Sequence, residues 1–371
     1  FLENMLKIMN IIFVENMELY KRFTKVKTVG GIETNTNDVI SELRKRGHNV
    51  WNFNREKAPH WVEDNIVDII AASTFDPMTF LQVSRLKNTH KNNAAVVFHA
   101  HTTVEDLAGN FLPDKPIFNL IFKYWLKILY GLAHLLITPS NYSKKCLESI
   151  QKSMTYPIYE VSNGIRIEEF MRKEEYRENF RKFLNLKYNI PLESTVIINV
   201  GLSWKKKRVD IFGRVAKAFS DYYFIWVGPI NKNPDIDEAL KLDNVIFTGF
   251  YDDIREAYYG ADLFLNTSSV ENQGIPLIEA AICKLPIVAS DLPAYDWVQH
   301  DVSCYKARSI DDFINGVRRV ISDTDFKEKI IENAYKQAID LHDFNKIGTK
   351  IEKLYRKAKL IKKIWENKRK N

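Results

Sequence analysis

Short, predominantly apolar runs alternate with segments of helical periodicity along this chain, and that alternation limits the fold more than any other feature. In the second half the runs are 195–200, 223–227, 245–248, 263–266 and 287–289, with helical patterns at 208–219, 252–259, 274–283, 309–322 and 325–341. The first half repeats the scheme, with strand-like runs at 7–14, 50–53, 66–71, 94–98 and 134–140. Helical patterns there cover 32–46, 80–89, 116–130 and 143–150. A strand apolar along its whole length has no face for water, so it belongs in a parallel sheet covered by helices on both sides. The expected class is α/β, with doubly wound parallel-sheet topology occurring twice.

At 371 residues the chain has room for two domains of roughly 100–200 residues each. The boundary falls near the turn Ser162-Asn163-Gly164. The expected division is residues 1–160, residues 161–342 and a terminal helical segment, 343–371, with 170–193 as a helical excursion. Three scattered cysteines, Cys146, Cys283 and Cys304, have no paired spacing, which excludes a disulfide framework or a zinc ribbon and suits a reducing compartment. The opening residues do not read as a secretory signal. The most apolar window, 117–137, is interrupted by Lys123, Lys127 and His134 and is not read as a membrane span.

Charge is unevenly placed. Residues 346–371 hold eleven Lys or Arg against two Glu, so the tail carries +9 and the remainder carries −2 of the +7 total. Leu360, Ile361, Ile364 and Trp365 are spaced for one helical face among Lys362, Lys363 and other cations. That composition suits an anionic bilayer surface, where each Lys or Arg is worth roughly 1 kcal/mol. A solvated helix is the alternative, and no nucleic-acid motif accompanies the charge. The 116–130 segment offers a second membrane candidate, with Lys123, Trp125 and Lys127 at an interface; a core helix is its plain alternative.

The densest motif is Val270 to Asp291, VENQGIPLIEAAICKLPIVASD. Glu271 and Glu279 stand eight residues apart with Gly274 between them at a helix start. A glycine there lets backbone N–H groups approach an anion that the helix dipole favours. The flanking carboxylates can accept hydrogen bonds from sugar hydroxyls. The plain alternative is a βαβ crossover with two solvent-facing acids. Upstream, Gly201 to Arg208 places Lys205, Lys206 and Lys207 at another helix start. Cations there oppose the dipole unless an anion joins them.

The stretch from Val270 resembles the Glu-x7-Glu signature of retaining GT-B glycosyltransferases of the GT4 class. The resemblance implies two Rossmann-like domains facing a cleft. It places Glu271 by a donor sugar and Glu279 on the ribose, with Asn272, Gln273, Gly274 and Ile275 around the diphosphate. Gly30-Gly31, between a strand and a helix, resembles the family's glycine loop facing the donor. Ser162-Asn163-Gly164 resembles its interdomain turn, which makes Asn163 a donor-side residue. Lys206 and Lys207 align with the family's diphosphate clamp, usually Arg and Lys. Arg208 stands where the family commonly has Gly. His99 matches the family's active-site histidine. The extended string HAHTTVEDLAGNF is most similar to glycolipid glucosyltransferases, with His101 and Thr102 on the acceptor side.

The resemblance implies a hexosyltransferase using a nucleotide sugar, UDP-glucose first, with retention and without a metal or cofactor. The expected acceptor is a lipid or lipid-linked glycan at the cytoplasmic face of a membrane, the protein being peripheral. A soluble sugar or polysaccharide acceptor, a nucleotide-sugar epimerase and a non-catalytic binding subunit are the alternatives. Asp252-Asp253 precedes a helix and reads as its cap rather than as a metal motif.

Overall fold

The computed structural model describes residues 8–17, 31–108, 115–151, 156–231 and 234–370. They fall into two compact units: the chain up to Gly164 together with Phe344 onward, and Ile165–Asp343. Each unit is built on one six-stranded sheet in which every strand pair is parallel. The expected class, α/β with two doubly wound sheets, is the observed one.

In the first unit the strands are β1 (Asn10–Val14), β2 (Asn49–Asn52), β3 (Ile69–Ala72), β4 (Ala95–His99), β5 (Leu135–Thr138) and β6 (Ile158–Glu160). Their order is β2-β1-β3-β4-β5-β6. The helix Gly31–Lys45 ends at Gly47, whose φ of +86° suits a residue without Cβ. Helix Pro77–Thr89 starts at Asp76, whose carboxylate accepts from the Thr79 amide at 2.9 Å. One face of the sheet is covered by the last helix, Phe344–Lys370, through Phe344, Ile347, Ile351, Tyr355 and Ala358. Each large apolar side chain so buried contributes about 1.5–3 kcal/mol. Gly164 is required beneath it. Its φ is +71°, and a Cβ would sit 2.7 Å from Ile347 Cδ1 and from Phe344 Cδ2.

The same helix corrects an expectation about the basic tail. Trp365 packs into the core on the sheet's other face, its ring 5.3 Å from His134. Lys362 is buried, pairs with Glu366 and donates to the Asn92 carbonyl at 3.1 Å. Both side chains are used by the unit's own packing. Lys363, Leu360 and Ile364 remain exposed. Trp125 is corrected likewise: its indole N–H donates to the Phe75 carbonyl at 2.7 Å, and its ring packs on Phe80. The outward face of Pro116–Tyr130 instead carries Ile117, Phe118, Leu120, Ile121, Tyr124 and Ile128, with Lys123 exposed and Lys127 half-buried. Leu126, Leu129 and Tyr130 face inward, so this helix is apolar on both sides. No helix among the described residues is long and apolar enough to cross a membrane.

In the second unit the strands are β7 (Thr195–Val200), β8 (Tyr222–Val227), β9 (Val245–Gly249), β10 (Leu263–Asn266), β11 (Ile287–Ser290) and β12 (Tyr305–Ala307). Their order is β12-β11-β10-β7-β8-β9. Phe212 stands edge-on to Phe224 and Trp226 in the core. The 170–193 excursion contains the helix Glu175–Tyr188, fastened by buried Arg181. Its guanidinium donates to the Gly260 carbonyl at 2.6 Å and pairs with Asp262 at 2.6 Å. Asp253 caps the helix Ile254–Gly260 through the Arg255 amide.

Candidate active site

The second sheet reverses its strand order between β7 and β10, which are hydrogen-bonded neighbours. Loops leaving the C-terminal ends of such a pair form the usual ligand site of an open α/β sheet. Here one loop carries the lysines and the other carries Glu271.

After β7 the chain passes Gly201 and makes one tight turn, Lys205–Lys207. Arg208 then takes a left-handed conformation, φ +53° and ψ +58°, before the helix Val209–Ala216. This explains why glycine serves well at that position: a Cβ there costs roughly 1–2 kcal/mol. The Arg208 guanidinium pairs with Asp210 through two 2.8 Å bonds and is thereby turned along its own helix start. Close approach also fixes Gly228 at the end of β8, where a Cβ would lie 2.3 Å from the Gly201 carbonyl oxygen.

Lys207 is buried and its ammonium pairs with buried Glu271. The same carboxylate oxygen accepts from the Ser268 hydroxyl at 2.8 Å. Backbone contacts hold the two loops together. The Ser269 amide donates to the Lys206 carbonyl at 2.7 Å, and the Thr267 hydroxyl to the Lys207 carbonyl at 2.8 Å. Burial pushes the Glu271 carboxyl up, but Lys207, Lys206 and the hydrogen bonds outweigh burial and hold it below its ordinary value. Glu271 is therefore a carboxylate at neutral pH. Lys206 is less buried than Lys207.

Gly274 precedes the helix Ile275–Ile282 with φ +77°. A Cβ on it would meet Tyr295 Cε1 at 2.5 Å, so both conformation and space demand glycine. Tyr295 is fully buried and donates to Asn266 Oδ1 at 3.0 Å. Pro276 occupies the first turn, where the missing N–H costs nothing. Gln273 is buried and Asn272 half-buried in the turn. Further along the helix, Glu279 accepts a 2.6 Å hydrogen bond from Tyr258. Burial raises its pKa to about 6, with the Tyr258 hydroxyl pulling the other way.

In the first unit, β4 delivers His99, 3% exposed. Its Nε2 lies 2.8 Å from the hydroxyl of Tyr355 on the last helix, and its ring packs beside Phe13 and His101. Burial, with His101 adding to it, lowers the His99 pKa to about 3. Burial lowers His101 to about 4, against a hydrogen bond to the Asn163 side chain that favours the protonated ring. Both rings are neutral at physiological pH. Asn163 also accepts at its backbone carbonyl from Asn35 Nδ2, 2.7 Å. His99, His101 and Asn163 thus share one small polar pocket with Asn35 and Thr138. Thr102 is buried, 2% exposed, rather than displayed on the loop. Gly31 is the exposed first residue of its helix, and Gly30 lies outside the described residues.

The structure therefore gathers Lys206, Lys207, Glu271, Asn272, Gln273, Gly274, Ile275 and Glu279 at one end of the second unit, and His99, His101 and Asn163 in the first. Ser268, Tyr258, Tyr295, Gly228 and Tyr355 were not singled out from sequence. Gly228 ends an apolar strand and offered a signal. The tyrosines offered none, because only folding brings Tyr258 to Glu279, Tyr295 to Gly274 and Tyr355 to His99. Among the described residues no group of three His, Cys, Asp or Glu is placed to hold a metal. A cavity of about 740 Å³ in the second unit opens at the other end of the sheet, beside Thr195, Asp262 and Pro286.

A family model described as glycosyl transferases group 1 matches residues 180–337, which contain both lysines and both glutamates. The chain is 30% identical over 305 residues to the processive diacylglycerol alpha-glucosyltransferase of Acholeplasma laidlawii, spanning 78% of this chain and 89% of that protein. With this fold and these loops, the chain belongs to the group 1 glycosyltransferases, and its fold is GT-B. Among its other relatives is the alpha-galactosylglucosyldiacylglycerol synthase of Streptococcus pneumoniae, 28% identical over 180 residues, 46% of this chain and 44% of that protein. A solved structure of similar fold is Anabaena HepE in complex with UDP and glucose, TM-score 0.72 and 18% identity, covering 93% of this chain and 99% of that one.

Proposed function

We propose that this glycosyltransferase moves a hexose from a nucleotide sugar, UDP-glucose being the first donor to test, to a lipid or lipid-linked acceptor at a cytoplasmic membrane face. The observation that carries the reading is the buried Lys207–Glu271 pair beside the glycine-headed helix Ile275–Ile282. In this reading Lys206, Lys207 and the first-turn amides take the diphosphate, and Glu279 takes the ribose hydroxyls. Glu271 and His99 orient the transferred sugar. As the bond from C1 to the leaving phosphate oxygen breaks, charge grows on that oxygen, and the lysines and helix terminus stabilise it without a metal. The acceptor oxygen bonds to C1 on the same face, and its proton passes to the departing phosphate. Configuration is retained and no protein nucleophile is required.

A lipid acceptor is supported by the names of the two relatives, a diacylglycerol alpha-glucosyltransferase and an alpha-galactosylglucosyldiacylglycerol synthase. It is also supported by the outward apolar face of Pro116–Tyr130. Ile117, Ile121, Tyr124 and Ile128 lie at i, i+4, i+7 and i+11, each more than half exposed, flanked by Lys123 and Lys127. A helix of this kind suits an interfacial position with lysines at headgroup level. The test is turnover of a nucleotide-sugar panel with a chelator present, with and without anionic vesicles containing diacylglycerol. Chelator-resistant transfer to lipid is expected. Donor turnover without lipid product would move the reading to a soluble acceptor or an epimerase. Loss of transfer on chelation would remove the metal-free mechanism.

A further inference from the structure

The last helix of the chain places one polar group on the histidine proposed to orient the donor sugar, 256 residues away in sequence. Tyr355 is 0% exposed and His99 3% exposed. The Tyr355 ring stands edge-on to the imidazole at 5.8 Å, and the hydroxyl lies 2.8 Å from Nε2. Among the described residues, Nε2 of His99 is the only hydrogen-bond partner of that hydroxyl. A phenol has one proton to give, and a buried donor left without an acceptor costs about 1–3 kcal/mol. The proton therefore goes to Nε2, which can accept it only as a bare nitrogen.

We infer that Tyr355 is a positioning residue that holds His99 as the neutral Nδ1–H tautomer, so that the histidine meets the donor sugar as a hydrogen-bond donor through Nδ1. A neutral imidazole carries one proton, and the nitrogen that bears it is set by the bond the other nitrogen makes. With Nε2 committed to Tyr355, only Nδ1 is left for a ligand. The strongly lowered basicity of His99 agrees, since the ring does not take a second proton at working pH. The rest of the loop supports a fixed orientation. The Ala100 amide donates to the Ile137 carbonyl at 2.7 Å, and the Thr138 hydroxyl donates to the Ala100 carbonyl at 3.0 Å. The backbone beside the ring is thus held by β5 while the ring itself is held by the last helix. The inference rests on the proposed role of His99 only for its functional half; the tautomer follows from the buried contact together with the cost of leaving the Tyr355 hydroxyl without an acceptor.

The experiment has two parts. Long-range proton–nitrogen NMR on the full chain with ¹⁵N-histidine, His99 being assigned by comparison with His99→Gln, reads the tautomer directly. A protonated Nδ1 with bare Nε2 is expected, and a protonated Nε2 would overturn the inference. Calorimetry then compares UDP with UDP-glucose in wild type, Tyr355→Phe and His99→Gln. In Tyr355→Phe, affinity for UDP-glucose should fall by about tenfold, the size of one hydrogen bond. Affinity for UDP, which has no sugar for His99 to meet, should stay within twofold. Equal losses for both ligands would make Tyr355 a packing residue and refute the positioning role. If His99→Gln leaves both affinities unchanged, the proposed role of His99 fails, while the tautomer measurement still decides what Tyr355 does.

Discussion

Removing one member of the Lys207–Glu271 pair tests both the fold and the reading of its site. Both groups are nearly closed to water: the side chains are 10% and 9% exposed. Lys207→Met would leave a buried carboxylate with only the Ser268 hydroxyl of its two present partners. Breaking a buried pair from one side costs about 3–5 kcal/mol, because the survivor stays desolvated and uncompensated. For a unit of this size each kcal/mol lowers the melting temperature by about 2–4 °C, so a fall of about 6–20 °C is expected. Glu271→Gln should cost a similar amount by stranding the lysine. Replacing both, as Lys207→Met with Glu271→Leu, should recover most of the stability, since an apolar pair of similar volume is often neutral or better. The penalty of Lys207→Met also has a pH signature. The folded pKa of Glu271 is lowered, so its stabilising contribution is present above its ordinary value of 4.5 and lost as pH falls through the folded value. The gap between wild type and Lys207→Met should therefore narrow in acid. Urea melts followed by tryptophan fluorescence at pH 7 and below pH 4.5 read all four proteins. Single-variant costs under about 1 kcal/mol would mean that the pair behaves like a solvated surface bridge, and the argument from burial would fail. Additive losses in the double variant would refute the coupling.

Other outcomes are expected from the same geometry. Gly274→Ala should destabilise the second unit and abolish turnover, because its Cβ would fall 2.5 Å from the buried ring of Tyr295 at a φ of +77°; a thermal melt within 2 °C of wild type, with activity intact, would contradict this. Glu279 is pushed up to about pH 6 by burial, so it accepts ribose hydrogen bonds fully only above that pH. Calorimetric affinity for UDP-glucose, whose diphosphate does not itself titrate there, should rise between pH 5 and 7 in wild type and stay flat in Glu279→Gln; a flat wild-type profile would remove the ribose role. Ile121→Glu with Tyr124→Glu should reduce sedimentation with anionic vesicles at least tenfold while sparing the melt, since both side chains point away from the core; undiminished binding would send the membrane contact elsewhere, with Lys363 and Ile364 the next residues to change.

The strands were the most legible part of the fold. A run such as Val196–Ile198 is apolar at every position because both faces of its sheet are covered, and that is visible without coordinates. The glycine–proline helix start at Gly274 was equally plain, since local backbone rules govern it. The short strand Tyr305–Ala307 and the helix Pro234–Ala239 escaped notice because neither is long enough to show a period. Trp365 and Lys362 were misplaced for a different reason. Helical spacing tells which residues share a face, but not whether that face meets solvent or the unit's own core.

The individual strands, the acids eight residues apart and the lysine turn are legible in the bare chain, because each depends on neighbours a few positions away. Folding settles which lysine is paired, that Tyr258 holds Glu279 and that Tyr355 holds His99. Those contacts join residues 21 to 256 positions apart. They owe their strength to burial, and burial exists only once helices have closed over the strands.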